Sequence, residues 1–369
     1  MAKFLFFDDM IINILVKQEK PSGGAAVQAY GWIRGLLDAG EEINVLTDMS
    51  ENKILKEECL DIILLPLYNK KKGLRWVRWL YYRLPYLYQT IKRSKPDYFY
   101  EGVPCWKSFF FAIICRHLRV KYILRISNDC FLDERAHKTR SVPHLFFQRL
   151  GMKLSYCILC QNNYQYNIIK KEFPGKKIFK ISNPLLLKGG AFSNEIQSKN
   201  YIAWLGIYQY QKNIPLLFEI ASLLADEKFL IAGKEHPRCD EETQYYLQKL
   251  GQLPNVQFAG FLERDQVLPF FSKAKYLLNT SHYEGFSNTF LEAMSVGTPI
   301  ITTERVNPDS IISNHNLGIV FSDLPELQKM FSGVTTAVYT SMSKNVLTYI
   351  EQHDYKLLSK KLLAMLSTN

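Results

Sequence analysis

The sequence lacks any apolar run long enough to cross a bilayer. Away from the N-terminus the longest, Phe109 to Cys115, falls far short of the roughly 20 residues that a spanning helix needs. Met1 to Phe7 runs straight into a strand-like stretch without a basic leader, a long apolar region or a small-residue cleavage site, which predicts no secretory signal. The 7 cysteines stand at irregular spacings, which argues against a disulfide framework and fits a reducing cytoplasm. Cys157 and Cys160 form the one close pair, but they share a strand-like run in which odd spacing sends two side chains to opposite faces, so a joint metal or redox role is not expected. No Asp-x-Asp pair is present, and residues 69 to 96 contain neither Asp nor Glu.

What is there describes a globular enzyme-sized chain. With 369 residues, 47% hydrophobic and 22% charged, it has the material for two cores rather than one. Charge is divided unevenly: residues 1 to 182 carry 30 Lys and Arg against 17 Asp and Glu, whereas residues 183 to 369 carry 16 against 18, so the halves are +13 and −2 and sum to +11. Such asymmetry suggests that one half faces an anionic partner: a phosphorylated substrate, a phospholipid surface or a nucleic acid.

Short apolar strands alternate with amphipathic helices along the whole chain, the pattern of parallel α/β units. One series predicts strands near 3–7, 43–47, 61–66, 97–101, 121–126, 156–160 and 177–181; a second predicts them near 201–205, 228–232, 255–258, 276–279, 299–302 and 317–320. Between the series, Ser182-Asn183-Pro184 and the turn formers from Gly189-Gly190 to Ser198 break the periodicity. The expected organisation is a Rossmann-like domain over 1–182, a linker over 183–198, a second Rossmann-like domain over 199–350, and a C-terminal helix within 351–369. In such sheets ligands bind beyond the C-terminal strand edges.

The most informative stretch is Ser281-His282-Tyr283-Glu284-Gly285-Phe286-Ser287-Asn288-Thr289-Phe290-Leu291-Glu292-Ala293-Met294, followed by Gly297-Thr298-Pro299. It leaves a strand, turns at Gly285, enters a helix and turns again into a strand. A carboxylate in the first loop can accept hydrogen bonds, backbone amides opening the helix can receive an anion, and a second carboxylate follows about a turn into the helix. Thr289 and Glu292 also have capping-box spacing, which leaves a purely structural alternative for Glu292. Taken whole, the pattern resembles the donor-site motif of family 4 (group 1) retaining glycosyltransferases. The resemblance implies the GT-B fold, with two parallel sheets facing across a cleft and a C-terminal helix crossing back to the N-terminal domain. It also implies that 1–182 binds acceptor and 199–350 binds donor, and that Glu284, Gly285, Phe286, Ser287, Asn288 and Glu292 hold a nucleoside-diphosphate sugar, Glu292 through the ribose.

Two weaker matches extend it. In Trp204-Leu205-Gly206-Ile207 and Lys212-Asn213-Ile214, the resemblance places Gly206 at a strand end and Lys212 before a helix, where relatives use an Arg and a Lys to hold the donor diphosphate. Ile207 stands where that Arg would be, and Lys234 is the substitute considered. Ser22-Gly23-Gly24 lies between the first strand and its helix, so Gly23 and Gly24 are expected to let backbone approach the diphosphate. Asn128-Asp129 falls where many relatives carry His-Asp, which makes Asn128 and Asp129 candidates for the acceptor side and counts against a histidine-based step.

The acid-free segment begins Lys70-Lys71-Lys72 and continues through Arg75, Trp76, Arg78 and Trp79. Its helical wheel sets Trp76, Val77, Leu80, Tyr81 and Leu84 on one side, and Pro85 is expected to interrupt the helix. A basic aromatic helix suits an anionic membrane surface, packing on the sheet being the alternative; nucleic acid ranks behind both and is not expected as a partner.

The expectation is a retaining, metal-independent glycosyltransferase at the cytoplasmic face of the membrane. It would need no cofactor, use a UDP-sugar ahead of a GDP-sugar, and act on a saccharide or polyprenyl-linked acceptor in cell-surface polysaccharide synthesis, with Glu284 and Lys212 as catalytic groups. A nucleotide-sugar epimerase of the same fold, and a degenerate sugar-binding or membrane-docking module, are the alternatives.

Overall fold

The computed structural model describes residues 1–368 apart from 18–23, 49–52, 70, 75–76, 187–198 and 238, with backbone alone at 138 and 139. The chain divides into two compact units, Met1–Leu186 with Asp354–Asn369, and Leu187–His353. Most of the expected linker, 187–198, lies outside the described residues.

The first unit is built on seven strands: β1 (Lys3–Phe7), β2 (Glu42–Asp48), β3 (Ile63–Leu67), β4 (Tyr98–Glu101), β5 (Lys121–Arg125), β6 (Cys157–Cys160) and β7 (Lys177–Lys180). They pair in parallel in the order β3-β2-β1-β4-β5-β6-β7. Helices cover both faces, so the strands are continuous apolar runs whose alternate residues enter two different cores. Phe4 and Phe6 pack with Trp32, Leu36 and the C-terminal helix, while Leu5 and Phe7 pack with Phe111, Cys115 and Ile169. Cys157 and Cys160 part in the same way, one to each core.

The helix expected to return to the N-terminal domain does so. It spans Tyr355–Ser367, is capped by the Asp354 carboxylate through the amides of Lys356 (3.0 Å) and Leu357 (2.9 Å), and buries Leu358, Leu362 and Leu366 at helical spacing. It lies against the Gly24–Asp38 helix, where a Cβ on Gly35 would stand 2.1 Å from Ser359 Oγ and 2.4 Å from the Tyr355 carbonyl oxygen. One turn earlier, Gly31 makes room for Pro184, and the chain next to it forms a parallel bridge from Leu185 to Asp354.

The second unit repeats the plan with six strands: β8 (Tyr201–Tyr208), β9 (Phe229–Glu235), β10 (Val256–Gly260), β11 (Ala274–Asn279), β12 (Ile300–Thr303) and β13 (Gly318–Phe321). Their order is β10-β9-β8-β11-β12-β13, again parallel. In each sheet the order reverses beside the first strand, between β1 and β4 and between β8 and β11. A crevice opens at such a reversal because the two flanking connections leave in opposite directions.

One local expectation fails. Pro85 does not interrupt the basic segment: a π turn over Trp79–Arg83 runs directly into the Leu84–Ser94 helix, with Pro85 in that helix's first turn, where its missing N–H is not needed.

Candidate active site

The crevice of the second sheet is assembled from β8, β9 and β11. Gly206 and Gly233 face each other in register; a Cβ on Gly233 would stand 1.9 Å from the Gly206 carbonyl oxygen, so the strands can approach this closely only with glycine there. A Cβ on Gly206 would stand 2.9 Å from Trp204 and 3.3 Å from Lys212 Cε, and its absence lets the lysine stem lie along the strand end.

Lys212 is fixed by the turn that carries it. The short helical turn Tyr210–Lys212 ends at Asn213, whose left-handed φ of 49° suits asparagine and whose carboxamide caps the following helix through Leu216 N (3.4 Å). Thr280, just beyond β11, donates to the Lys212 carbonyl oxygen (2.7 Å) and accepts from Trp204 Nε1 (3.1 Å), tying β8, the turn and β11 together. The loop after β11 is latched to the same turn, with His282 N donating to Gln211 O (2.8 Å) and Gln211 Nε2 to Tyr283 O (3.0 Å).

Glu284 is thereby brought to Lys212. Its Oε1 accepts from Lys212 Nζ (2.5 Å) and Ser281 Oγ (3.0 Å). Gly285, Phe286 and Ser287 are buried, and the Phe286 ring packs on His353 (5.3 Å). The helix Asn288–Met294 starts after Ser287, whose hydroxyl meets that of Thr289 (2.8 Å). Glu292 sits on the inner face of this helix with its side chain 4% exposed. Rather than capping its own helix, it forms an ion pair with Arg264, the first residue of the Arg264–Ser272 helix, whose side chain is 39% exposed.

The site is thus two carboxylates closed by two cations, Glu284 with Lys212 and Glu292 with Arg264. Arg264 was not singled out from the sequence, because a charged residue opening a helix after a loop is ordinarily solvated; a buried glutamate in search of a cation is the signal that finds it. Lys234 pairs in register with Ile207 but is exposed and rests over the Phe261 ring (4.8 Å). Beside the loop, His282 stacks on Tyr210 (ring centres 4.7 Å apart), and burial, then Arg305, holds its imidazole below the usual pKa.

In the first unit, Gly24 opens its helix and Gly23 lies outside the described residues. Asn128 caps a helical turn by accepting from Cys130 N (3.1 Å), and Asp129 accepts from Gln165 Nε2 (2.7 Å) and Asn162 Nδ2 (3.1 Å). The crevice between β1 and β4 is lined by Ala25 and Ala26, next to Gly24, and by groups that sequence reasoning missed, Asp8, Asp9, Glu101, Cys105 and Lys107, around a cavity of about 250 Å³. Burial raises Glu101 to about 7, against the hydroxyls of Tyr122 and Ser108 that favour its ionised form. Burial also raises Asp8. It would lower Lys107, but the Asp9 carboxylate 2.9 Å away reverses the direction.

Residues 191–329 match the family model described as glycosyl transferases group 1. The matched stretch lies almost wholly within the second unit. That stretch holds Lys212, Arg264, Glu284 and Glu292, and covers a little over a third of the chain. A 2-deoxystreptamine N-acetyl-D-glucosaminyltransferase of Niallia circulans is 28% identical over 131 residues, which are 34% of this chain and 33% of that protein, so the match spans about a third of the relative's length. Among solved structures, sucrose-phosphate synthase of Thermosynechococcus elongatus superposes with a TM-score of 0.76 at 13% identity, over 99% of this chain and 98% of that one. HepE of Anabaena in complex with UDP-glucose gives 0.74 at 14% identity, over 100% of both chains. These likenesses extend the GT-B fold to the whole chain, beyond the group 1 segment.

Proposed function

We propose that the protein transfers a glycosyl group from a nucleoside-diphosphate sugar, UDP ahead of GDP, to a saccharide or polyprenyl-linked saccharide in cell-surface polysaccharide synthesis. The observation that carries this reading is the pair of buried-side carboxylates, Glu284 and Glu292, each held by a cation at the strand reversal of the second unit. Carboxylates so placed accept hydrogen bonds from sugar and ribose hydroxyls, and the cations meet the diphosphate. Breaking the glycosyl–phosphate bond leaves negative charge on the departing diphosphate, and Lys212 is fixed in advance to stabilise it, which supplies the positive charge without calling for a metal. The acceptor hydroxyl attacks from the face that the diphosphate leaves and passes its proton to the departing phosphate oxygen, so configuration at the anomeric carbon is retained. UDP-glucose bound to the structurally similar HepE supports the choice of donor class.

The first unit takes the acceptor in this reading, and its basic surface meets an anionic membrane on the cytoplasmic side. Among the described residues Lys71, Lys72 and Arg78 flank Leu74 and Leu80, which are 74% and 70% exposed, and Tyr81 is exposed beside them. Trp79 turns inward onto Trp106 (4.7 Å) and anchors the segment instead of facing solvent. Lys70, Arg75 and Trp76 lie outside the described residues.

Thermal stabilisation across UDP, GDP, ADP, CMP and their sugars tests the donor site, because a ligand that binds the folded state raises apparent stability by mass action. One diphosphate series should shift the transition and Glu292→Ala should abolish the shift; no shift with any nucleotide would overturn the reading. Sedimentation with vesicles containing anionic phospholipid tests the surface, and Leu80→Asp should release the protein.

A further inference from the structure

The donor site holds its charges in closed pairs. Glu292, the carboxylate that would take the ribose diol, is occupied by Arg264, and Glu284 is occupied by Lys212. A nearly fully buried carboxylate cannot give up its cation to a neutral hydroxyl alone without leaving a charge uncompensated, which is strongly unfavourable. A diphosphate alone meets the converse obstacle, since both cations are already engaged. A ligand carrying hydroxyls and phosphates together removes both obstacles in one exchange: hydroxyls take the carboxylates while phosphates take the cations.

We infer that Arg264 is the second diphosphate cation of the site, standing in for the arginine that Ile207 replaces, and that its pairing with Glu292 keeps nucleosides out until a phosphate draws it away. This rests on the donor-site reading above. Lys234, the other candidate, is solvent-exposed, rests on Phe261 and touches neither site carboxylate. Arg264 has the freedom that the exchange requires. It is part-exposed, it opens its helix rather than lying within it, and the capping box between Glu263 and Gln266 holds that helix end without using the Arg264 side chain. Its guanidinium can also leave a carboxylate for a phosphate without change of donor geometry, because both are bound by the same planar fork.

The test is calorimetric titration of the full chain with UDP, uridine and inorganic pyrophosphate, or with the corresponding series of whichever base binds. Wild type, Arg264→Gln and Arg264→Lys are compared, and the melting temperature of each is recorded. The wild type should bind the diphosphate well, with the nucleoside and pyrophosphate weaker than additive contributions would give. In Arg264→Gln the diphosphate should weaken about tenfold or more, the loss of one charge-assisted contact, while the nucleoside should gain several-fold because the ribose carboxylate is no longer held by a cation. Arg264→Lys should restore part of the diphosphate affinity. Equal weakening of UDP and uridine would overturn the inference by showing that Arg264 merely orients Glu292, and unchanged affinities would overturn it by making Arg264 a spectator. A wild type that binds no nucleotide would remove the donor-site reading itself, and this inference with it.

Discussion

The two crevices of this protein occupy the same place in the same kind of sheet and carry opposite characters. The first unit, taken over its sequence, is strongly basic, yet its β1/β4 crevice gathers Asp8, Asp9 and Glu101 around one lysine. The slightly acidic half places Lys212 and Arg264 at its β8/β11 crevice and balances them with two glutamates. Net charge therefore describes what a unit's surface attracts, not what its site binds. In the function proposed above, the acid-lined crevice meets acceptor hydroxyls and the balanced one meets a donor with hydroxyls and phosphates.

The comparison breaks most visibly at Lys212. Lys212→Ala should lower turnover by about 100-fold or more, the scale of removing one pre-placed charge stabiliser, with steady-state sugar transfer as the measurement; full turnover in this variant would remove its leaving-group role. A change at the neighbouring strand pair acts on the frame instead. Gly233→Ala forces a Cβ against the Gly206 carbonyl oxygen and should destabilise the second unit by about 1–3 kcal/mol, read as a fall in denaturation midpoint.

The first crevice is sharpened by pH. Folding raises Glu101 to about 7 from a model-peptide 4.5, so the folded state holds a proton that the unfolded chain releases. The stability due to this group is complete below about 4.5, is lost as pH rises through the interval up to about 7, and stays lost above it. Glu101→Gln keeps a neutral side chain and should flatten that slope in denaturation midpoints measured from pH 5 to 8; an unchanged slope would show that Glu101 stays ionised in the folded protein. The smallest effect is expected at Asn128. Asn128→Ala removes a cap and should cost about 1 kcal/mol or less, while a raised acceptor KM at unaltered stability would support its place on the acceptor side.

Much of the architecture was legible because each element obeys one period. Apolar runs such as Phe4 to Phe7 bury both faces, and every strand falls within three residues of its predicted limits at each end. Glu284 and Glu292 were legible because loop, glycine and helix leave them on the C-terminal side of one strand. What escaped was partnership across distance. Arg264 and Glu292 are 28 residues apart, and Tyr122 and Glu101 are 21, so neither pair leaves a local pattern. Pro85 misled for another reason: a π turn supplies the extra residue that lets a new helical register begin just before it.

The C-terminal helix also bears on the order in which the molecule can form. Leu358, Leu362 and Leu366 belong to the same core as Phe4, Trp32 and Ile43, yet the whole second unit is encoded between them. On a ribosome, residues 1–186 emerge with that core still open, and the Leu187–His353 unit can close before the earlier one is complete. The first domain to be synthesised is then the last to finish, with an apolar face that must remain uncommitted for the time needed to make the second.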